Sequence, residues 1–170
     1  MAEVGILSED ARVELIEGEI IDMASAGTEH CGLISQLTRF LVNAVAEQAH
    51  VRVQLPVRLS DITEPVPDLA LVAPRPDFYK RRHPGPNDTF LLIEVSQSSL
   101  RYDLQIKAPL YARHGIPEYW VINLAERQIR FFRSPNSGQY TEVATSDTPG
   151  VVTPVALPTA RIDLTGVLDE

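Results

Sequence analysis

The sequence predicts a mixed α/β (α+β) fold, with a mixed central β-sheet flanked by two main helices. Two observations support this prediction. Short strand-like segments enclose two segments with helical spacing, in the order strands, helix, strands, helix, strands. In addition, residues 66–73 and 90–96 are almost wholly apolar, as expected of central strands that are covered on both faces.

The N-terminal part of the pattern predicts a hairpin and a long helix. Residues 13–23 form two short strand-like segments around Glu17-Gly18, a turn pair at hairpin spacing. Thr28 is a residue type that caps helices, and the apolar side chains of residues 30–48 recur at helical spacing on one broad face. We therefore expect a hairpin followed by an amphipathic helix.

Four further strands, one of them weak, are expected outside the apolar pair. Residues 51–59 alternate strictly between apolar and polar side chains, which predicts a half-buried strand, and Pro56 indicates an edge strand or a bulge. Two later strands are predicted at residues 118–123 and 127–133, with another weak strand near residues 140–143.

A second helix is predicted over residues 103–114. Asp103 is a suitable N-cap and Gly115 a suitable end, while Pro109 lies inside the segment and is expected to kink it.

Length and composition favour one soluble globular domain. The 170 residues are 44% hydrophobic and 22% charged. We expect a single domain over residues 1–170, with a core at about 13–133 and a C-terminal extension at 134–170. The acidic start and the lack of a long apolar stretch argue against a secretory signal and a membrane span. A single cysteine, Cys31, cannot form an internal disulfide, so we expect a cytoplasmic protein.

The negative charge is concentrated at one end of the chain. The net charge is −8, but residues 1–29 hold eight acids against one base. Residues 30–170 carry fifteen acids and fourteen bases and are nearly neutral. This charge distribution does not predict nucleic-acid binding, but it is compatible with a local basic groove.

Two carboxylates inside apolar strands point to chemistry. Asp68 and Glu94 each lie in a segment that otherwise predicts burial, and a buried carboxylate needs a cation, hydrogen-bond donors or a metal. If the two strands are neighbours, both acids can share one Mg²⁺, which prefers a few carboxylate ligands and retained waters. The alternative pairs each acid with an arginine or a helix N-terminus.

Lys107 is a candidate partner of these acids. It is one of only two lysines in the chain, and helical spacing places it on the apolar face of the second helix. A lysine aimed at two carboxylates can offset charge in a phosphoryl-transfer transition state. In the alternative interpretation, its stem packs while its ammonium reaches solvent or pairs with Asp103.

A series of motifs resembles the Uma family of putative restriction endonucleases, within the PD-(D/E)XK nuclease superfamily. The motifs span about residues 13–133 and occur in the family's order: ELIEGEII, the lone His30 at a helix start, EPVPDLALV and IEVSQSSLRYDLQIKAPLYARHGIPEYWVIN. The resemblance implies a restriction-endonuclease-like core and a Mg²⁺-dependent endonuclease, with Mn²⁺ as a substitute.

The resemblance also implies roles for individual residues. Asp68 and Glu94 would be metal ligands, joined by the carbonyl of Val95. The superfamily's usual lysine position is Ser96 here, and the resemblance implies that Lys107 on the following helix takes that role.

Other positions match residues that usually face the same pocket. Glu19 would be a further acid, and His30 a contact to water or phosphate. Ser96 and Ser98 keep the family's Ser-x-Ser, and the resemblance makes them candidate substrate contacts. The neighbouring Gln97 and Ser99 depart from the family's pattern.

The loop that carries Lys80, Arg81 and Arg82 is a second candidate substrate contact. Its cations can bind phosphates at the edge of a groove, or they can form an ordinary solvated surface.

The leading hypothesis is a metal-dependent endonuclease that hydrolyses DNA phosphodiesters, with no membrane partner. Cutting both strands with one site per chain favours a homodimer. Two alternatives remain open at this stage: an inactive nuclease-fold module for binding or assembly, and a hydrolase of smaller phosphate esters.

Overall fold

A six-stranded mixed sheet forms the centre of the structure, a computed structural model that describes residues 11–169. Strand order across the sheet is β3-β4-β5-β6-β7-β8. Only β5 and β6 are parallel, and the other neighbours are antiparallel, so the predicted mixed sheet is confirmed. In chain order the strands are β1 (Val13–Ile16), β2 (Glu19–Asp22), β3 (His50–Val53), β4 (Leu69–Val72), β5 (Thr89–Ser96), β6 (Glu118–Asn123), β7 (Gln128–Asn136), β8 (Gln139–Ser146), β9 (Val151–Val152) and β10 (Ile162–Asp163).

Two helical segments cover the two faces of this sheet. The helices are α1 (Thr28–Val45), followed by a 3₁₀ turn (Ala46–Gln48), and α2 (Leu100–Tyr102), a π-helical turn (Asp103–Lys107) and α3 (Ala108–Arg113). Alternate residues of the central strands enter opposite core clusters, as the two-residue period of a strand requires. Leu91 and Ile93 pack with α1, whereas Leu92 packs with α3.

The N-terminal hairpin forms as predicted. β1 and β2 pair antiparallel, with Ile16 opposite Glu19. Glu17 and Gly18 both have positive φ, at 51° and 88°, as a tight hairpin turn requires. The cap prediction for α1 is wrong, because Gly27 occupies the N-cap and Thr28 is already helical.

The strand predicted over residues 51–59 is shorter than expected. β3 ends at Val53, since Gln54 adopts a positive φ of 48° that an extended strand cannot continue. After this break the chain passes to the other face of the sheet, where Val57 is fully buried against the α3 cluster. β3 is an edge strand, in agreement with the expectation from Pro56.

The second helix begins earlier than predicted and contains a wider turn. Ser99 is the N-cap, and Asp103 lies inside the helical segment instead of capping it. The π-helical turn precedes Pro109, which lacks a backbone N–H and would clash with a carbonyl in a regular α-helix. The widened turn accommodates this proline. Gly115, with φ 73°, follows the helix end as predicted.

Residues beyond 133 contribute to the sheet and to the core. β8 is the edge strand beside β7, and β9 pairs with β10. Six buried apolar side chains of the C-terminal segment join the α1 cluster: Leu157, Ala160, Ile162, Leu164, Val167 and Leu168. Among residues 11–169, no helix combines the length and apolar character that a membrane span requires.

One buried carboxylate, Glu118, has a purely structural environment. It is fully buried at the start of β6, outside the cavity described below. Its oxygens accept hydrogen bonds from Trp120 Nε1 at 2.7 Å, Arg133 Nε at 2.8 Å and the backbone N–H of Val155 at 2.7 Å. It ties β6 to β7 and to the C-terminal segment.

We expect Glu118→Gln to lower the free energy of unfolding by about 1–3 kcal/mol, because an amide NH₂ then faces a buried donor. Urea denaturation of the two proteins measures this difference. An unchanged unfolding midpoint would show that the three hydrogen bonds contribute nothing to stability.

Candidate active site

A cavity of about 350 Å³ lies where the N-terminal hairpin, the start of α1 and the sheet meet. It collects polar side chains from segments that are distant in sequence. Its polar lining includes Glu14 from β1, His30 from α1, Gln54 after β3, Asp68 before β4, Glu94 from β5, Tyr102 from α2, and Asp103 and Lys107 from the π-helical turn.

Pairing of β4 with β5 brings the two predicted acids together. Leu69 is opposite Ile93 in this antiparallel pair, so Asp68 lies beside Glu94. Asp68 Oδ2 accepts the backbone N–H of Val95 at 2.9 Å. Both acids are buried, at 6% and 5% relative exposure, as their apolar segments predicted.

Two side chains orient Asp68. His30 Nε2 lies 3.2 Å from Oδ2, and Gln54 Nε2 donates to Oδ1 at 3.1 Å. Gln54, which ends β3 through its positive φ, is therefore also the residue that donates a hydrogen bond to Asp68. His30 thus lines the cavity and contacts Asp68, and its contact to water or phosphate stays a prediction.

Glu94 is held through one of its two oxygens. Its Oε1 accepts hydrogen bonds from Lys107 Nζ at 2.9 Å and from the Tyr111 hydroxyl at 3.1 Å. No described residue donates a hydrogen bond to Oε2, which leaves that oxygen with free lone pairs.

Lys107 lies between two carboxylates. Its Nζ is 2.9 Å from Glu94 Oε1 and 3.1 Å from Glu14 Oε2, and its side chain is only 6% exposed. The alternative in which the ammonium reaches solvent is therefore wrong. The pairing with Asp103 is also wrong, because the Asp103 carboxylate accepts the hydroxyls of Ser96 and Ser99 instead.

Burial and charge act in opposite directions on this ion pair. Burial lowers the pKa of Lys107, but the carboxylates of Glu94, Glu14 and Asp103 raise it and prevail, so the ammonium stays charged. Burial also raises the pKa of Glu94 well above its ordinary range, and the charge of Lys107 opposes that effect. The site thus holds negative charge at a high desolvation cost, which a second cation would relieve.

Two buried polar atoms near the acids have no hydrogen-bond partner. They are His30 Nδ1 and the Tyr102 hydroxyl, both on residues that line the cavity. Burial raises the pKa of Tyr102 to about 12, so its hydroxyl remains a donor. Such atoms normally bind water or a ligand, which suits a wet, substrate-accepting cavity.

The structure places Glu14, not Glu19, in the cavity. Glu19 is exposed on β2 and does not line the cavity, because it pairs with Ile16 at the turn end of the hairpin, whereas Glu14 lies nearer the other end. Glu14 is 5% exposed, and it also accepts the backbone N–H of Val66 at 3.3 Å. Its signal in the sequence was strand alternation, which places Glu14 on the same face as the buried Ile16.

The predicted substrate contacts lie in different places. Ser96 is fully buried and donates to Asp103 at 2.7 Å, so it has no surface to offer a substrate. Ser98 is exposed and lines the cavity. Lys80, Arg81 and Arg82 follow the opposite end of β4 and do not line it.

The donor set suits a magnesium ion bound by few protein ligands. Within residues 11–169, no group of three or more His, Cys, Asp or Glu side chains forms a metal cluster. Mg²⁺ needs only one or two carboxylates and keeps several waters. Among residues 11–169, five carboxylates and two permanent cations, Arg12 and Lys107, line the cavity, so its charge favours a divalent cation.

Comparisons with known proteins show the family of this chain. Residues 2–165 match the family model Uma2, described as "Putative restriction endonuclease". The chain therefore belongs to the Uma2 family, and the resemblance seen in the sequence is confirmed. No curated protein matches the chain.

A solved structure has a similar fold. It is the crystal structure of a putative nuclease belonging to DUF820 from Anabaena variabilis, with a TM-score of 0.73 and 17% sequence identity. The match covers 98% of this chain and 94% of that one. At this identity the likeness shows a shared fold.

The Lys107 ion pair predicts strong energetic coupling. We expect Lys107→Met to lower the free energy of unfolding by about 3–5 kcal/mol, because two buried carboxylates lose their cation. Glu94→Gln combined with Lys107→Met should cost less than the sum of the two single changes, by about 1 kcal/mol or more.

Urea denaturation of the four proteins measures this coupling. Arg58→Met is the control, because Arg58 forms an exposed pair with Asp61 and should change stability by about 0.5 kcal/mol or less. Additive effects of Glu94→Gln and Lys107→Met would contradict the coupling.

Proposed function

We propose that this member of the Uma2 family is a metal-dependent endonuclease that hydrolyses DNA phosphodiester bonds in the cavity. One observation carries the proposal: buried Asp68 and Glu94 lie side by side, with the Lys107 ammonium 2.9 Å from Glu94. Two carboxylates and a lysine supply the charges that phosphoryl transfer needs.

The metal ligands we propose are Asp68, Glu94 and the backbone carbonyl of Val95. Glu94 Oε2 is the oxygen left without a hydrogen bond, and the excess negative charge of the cavity favours a hard divalent cation. When bound, Mg²⁺ supplies Lewis-acid chemistry, polarising a phosphoryl oxygen and activating water. Mn²⁺ shares the preference for oxygen ligands and is the expected substitute.

The chain's own side chains divide the remaining work. Lys107 is fixed by Glu94 and Glu14, so its charge can stabilise negative charge that develops on the phosphate. Tyr111 restrains Glu94 by donating to Oε1, and His30 and Gln54 restrain Asp68. We assign no role to Glu19, which lies outside the cavity.

We also propose that the protein acts as a homodimer in the cytoplasm. One site per chain cuts one strand, so cleavage of both strands is best served by a homodimer. A cytoplasmic location suits a chain whose single cysteine, Cys31, is exposed as a free thiol.

We expect the wild-type protein to cleave supercoiled plasmid or single-stranded DNA with Mg²⁺ or Mn²⁺ and to be inactive in EDTA. Asp68→Asn and Lys107→Met should each reduce the cleavage rate by about 100-fold or more, since each removes a charge from the transition-state environment. Gel assays of initial rates measure this.

Two variants control for charge and stability. Asp61→Asn removes an exposed carboxylate and should cut normally. Glu118→Gln weakens a buried structural carboxylate and should cut normally at temperatures where it is folded. Equal cleavage by wild type and Asp68→Asn would rule out the proposed site.

Metal binding should also be visible without catalysis. At a Mn²⁺ concentration of about 100 times Kd, binding stabilises the folded state by about 2.7 kcal/mol. For a chain of this size the melting temperature then rises by about 5–10 °C. Differential scanning fluorimetry should show this rise for wild type and not for Asp68→Asn; equal shifts would place the metal elsewhere.

A further inference from the structure

The loop between β4 and β5 carries an aromatic side chain that its surroundings hold out in solvent. Phe78 is 63% exposed, and both Phe78 and Tyr79 have positive φ, at 50° and 60°. Bulky residues rarely adopt this left-handed conformation, and outliers of this kind concentrate where a protein binds or reacts. The cavity does not include this loop, so its geometry needs another explanation.

Several contacts hold the loop in place around Tyr79. The Tyr79 hydroxyl donates to the carbonyl of Ala73 at 2.7 Å, and its backbone N–H donates to Asp77 Oδ1 at 3.3 Å. The guanidinium groups of Arg52, Arg75 and Arg82 lie 5.2–5.7 Å from the centre of its ring. The backbone that presents Phe78 is therefore pre-organised.

One face of the Phe78 ring is already occupied and the other faces solvent. The ring stacks on His50, with centroids 4.5 Å apart and planes 24° apart. His50 is fixed in turn, because its Nε2 accepts the backbone N–H of Arg75 at 2.9 Å. An aromatic ring with one supported face is a surface on which a planar base can stack.

Two cations that follow Phe78 in the chain have no acidic partner among residues 11–169. Arg82 is neutralised by Asp88, with N–O distances of 2.6 and 3.2 Å. Lys80 and Arg81 are exposed, and neither side chain forms an ion pair with another described residue. The charge available for an external anion thus belongs to these two residues.

We propose that residues 78–81 form a second DNA contact, at which a base of a single strand stacks on Phe78 while Lys80 and Arg81 bind the flanking phosphates. The inference rests on the proposed function, because it extends the path of the same substrate. Asp68 precedes β4 and Ala73 follows it, so the loop begins about 17 Å from Asp68, at about 3.3 Å per residue of strand.

The test is fluorescence anisotropy with a labelled single-stranded 20-mer in EDTA, where no cleavage occurs. Phe78→Ala should weaken binding by about 5-fold or more, whereas Phe78→Tyr should retain it. Phe78→Asn is a second variant, because asparagine tolerates positive φ and should keep the loop folded while losing the stack.

The cations are tested through salt dependence. Lys80→Gln with Arg81→Gln should reduce the slope of log K against log salt by about 1.4, or about 0.7 for each phosphate on a single strand. Arg39→Gln with Arg161→Gln removes the same charge from exposed positions elsewhere and should leave the slope within error.

Binding and cleavage separate the two proposals. Loop-dependent binding that persists in Asp68→Asn supports the contact even if no metal supports cleavage. Cleavage by a protein whose binding ignores all loop variants would overturn the contact and keep the nuclease. A change in sedimentation of Phe78→Ala without a change in DNA affinity would also overturn it, since the ring would then bind another copy of the chain.

Discussion

The burial of Lys107 between two carboxylates is the constraint on which the rest of the site depends. An ammonium at 6% exposure is stable only because Glu94 and Glu14 lie within 3.1 Å of it. Those acids come from the central strand β5 and from the N-terminal hairpin, so the pair fixes the hairpin against the sheet. Lys107 is the last residue of the π-helical turn, which ends just before Pro109. The position of the lysine therefore depends on this widened turn as well.

Strand β5 serves both the core and the site. Leu91 and Ile93 pack toward α1 and Leu92 toward α3, which buries the strand on both faces. Glu94 continues this alternation at a point where the hairpin and the second helix leave a cavity. Burial in the core raises the pKa of this carboxyl group, and its position in the cavity wall gives a cation access to it.

The molecule contains two kinds of buried acid, and their partners distinguish them. Glu118 accepts three hydrogen bonds from groups that belong to the scaffold, and it does not line the cavity that holds Asp68 and Glu94. Glu94 shares one oxygen with Lys107 and Tyr111 and leaves the other without a donor.

The sequence alone predicted the order of strands and helices and the central position of the two apolar strands. It also singled out Asp68, Glu94 and Lys107 as candidate site residues, because a charged residue among apolar ones is visible in the sequence pattern. Tertiary structure decided which further groups meet them. Glu14 and not Glu19 lines the cavity, because of its place along the hairpin, Ser96 donates to Asp103, and β3 ends at Gln54. Register, strand breaks and helix phase depend on contacts between distant segments, and such contacts leave no local signal in a single sequence.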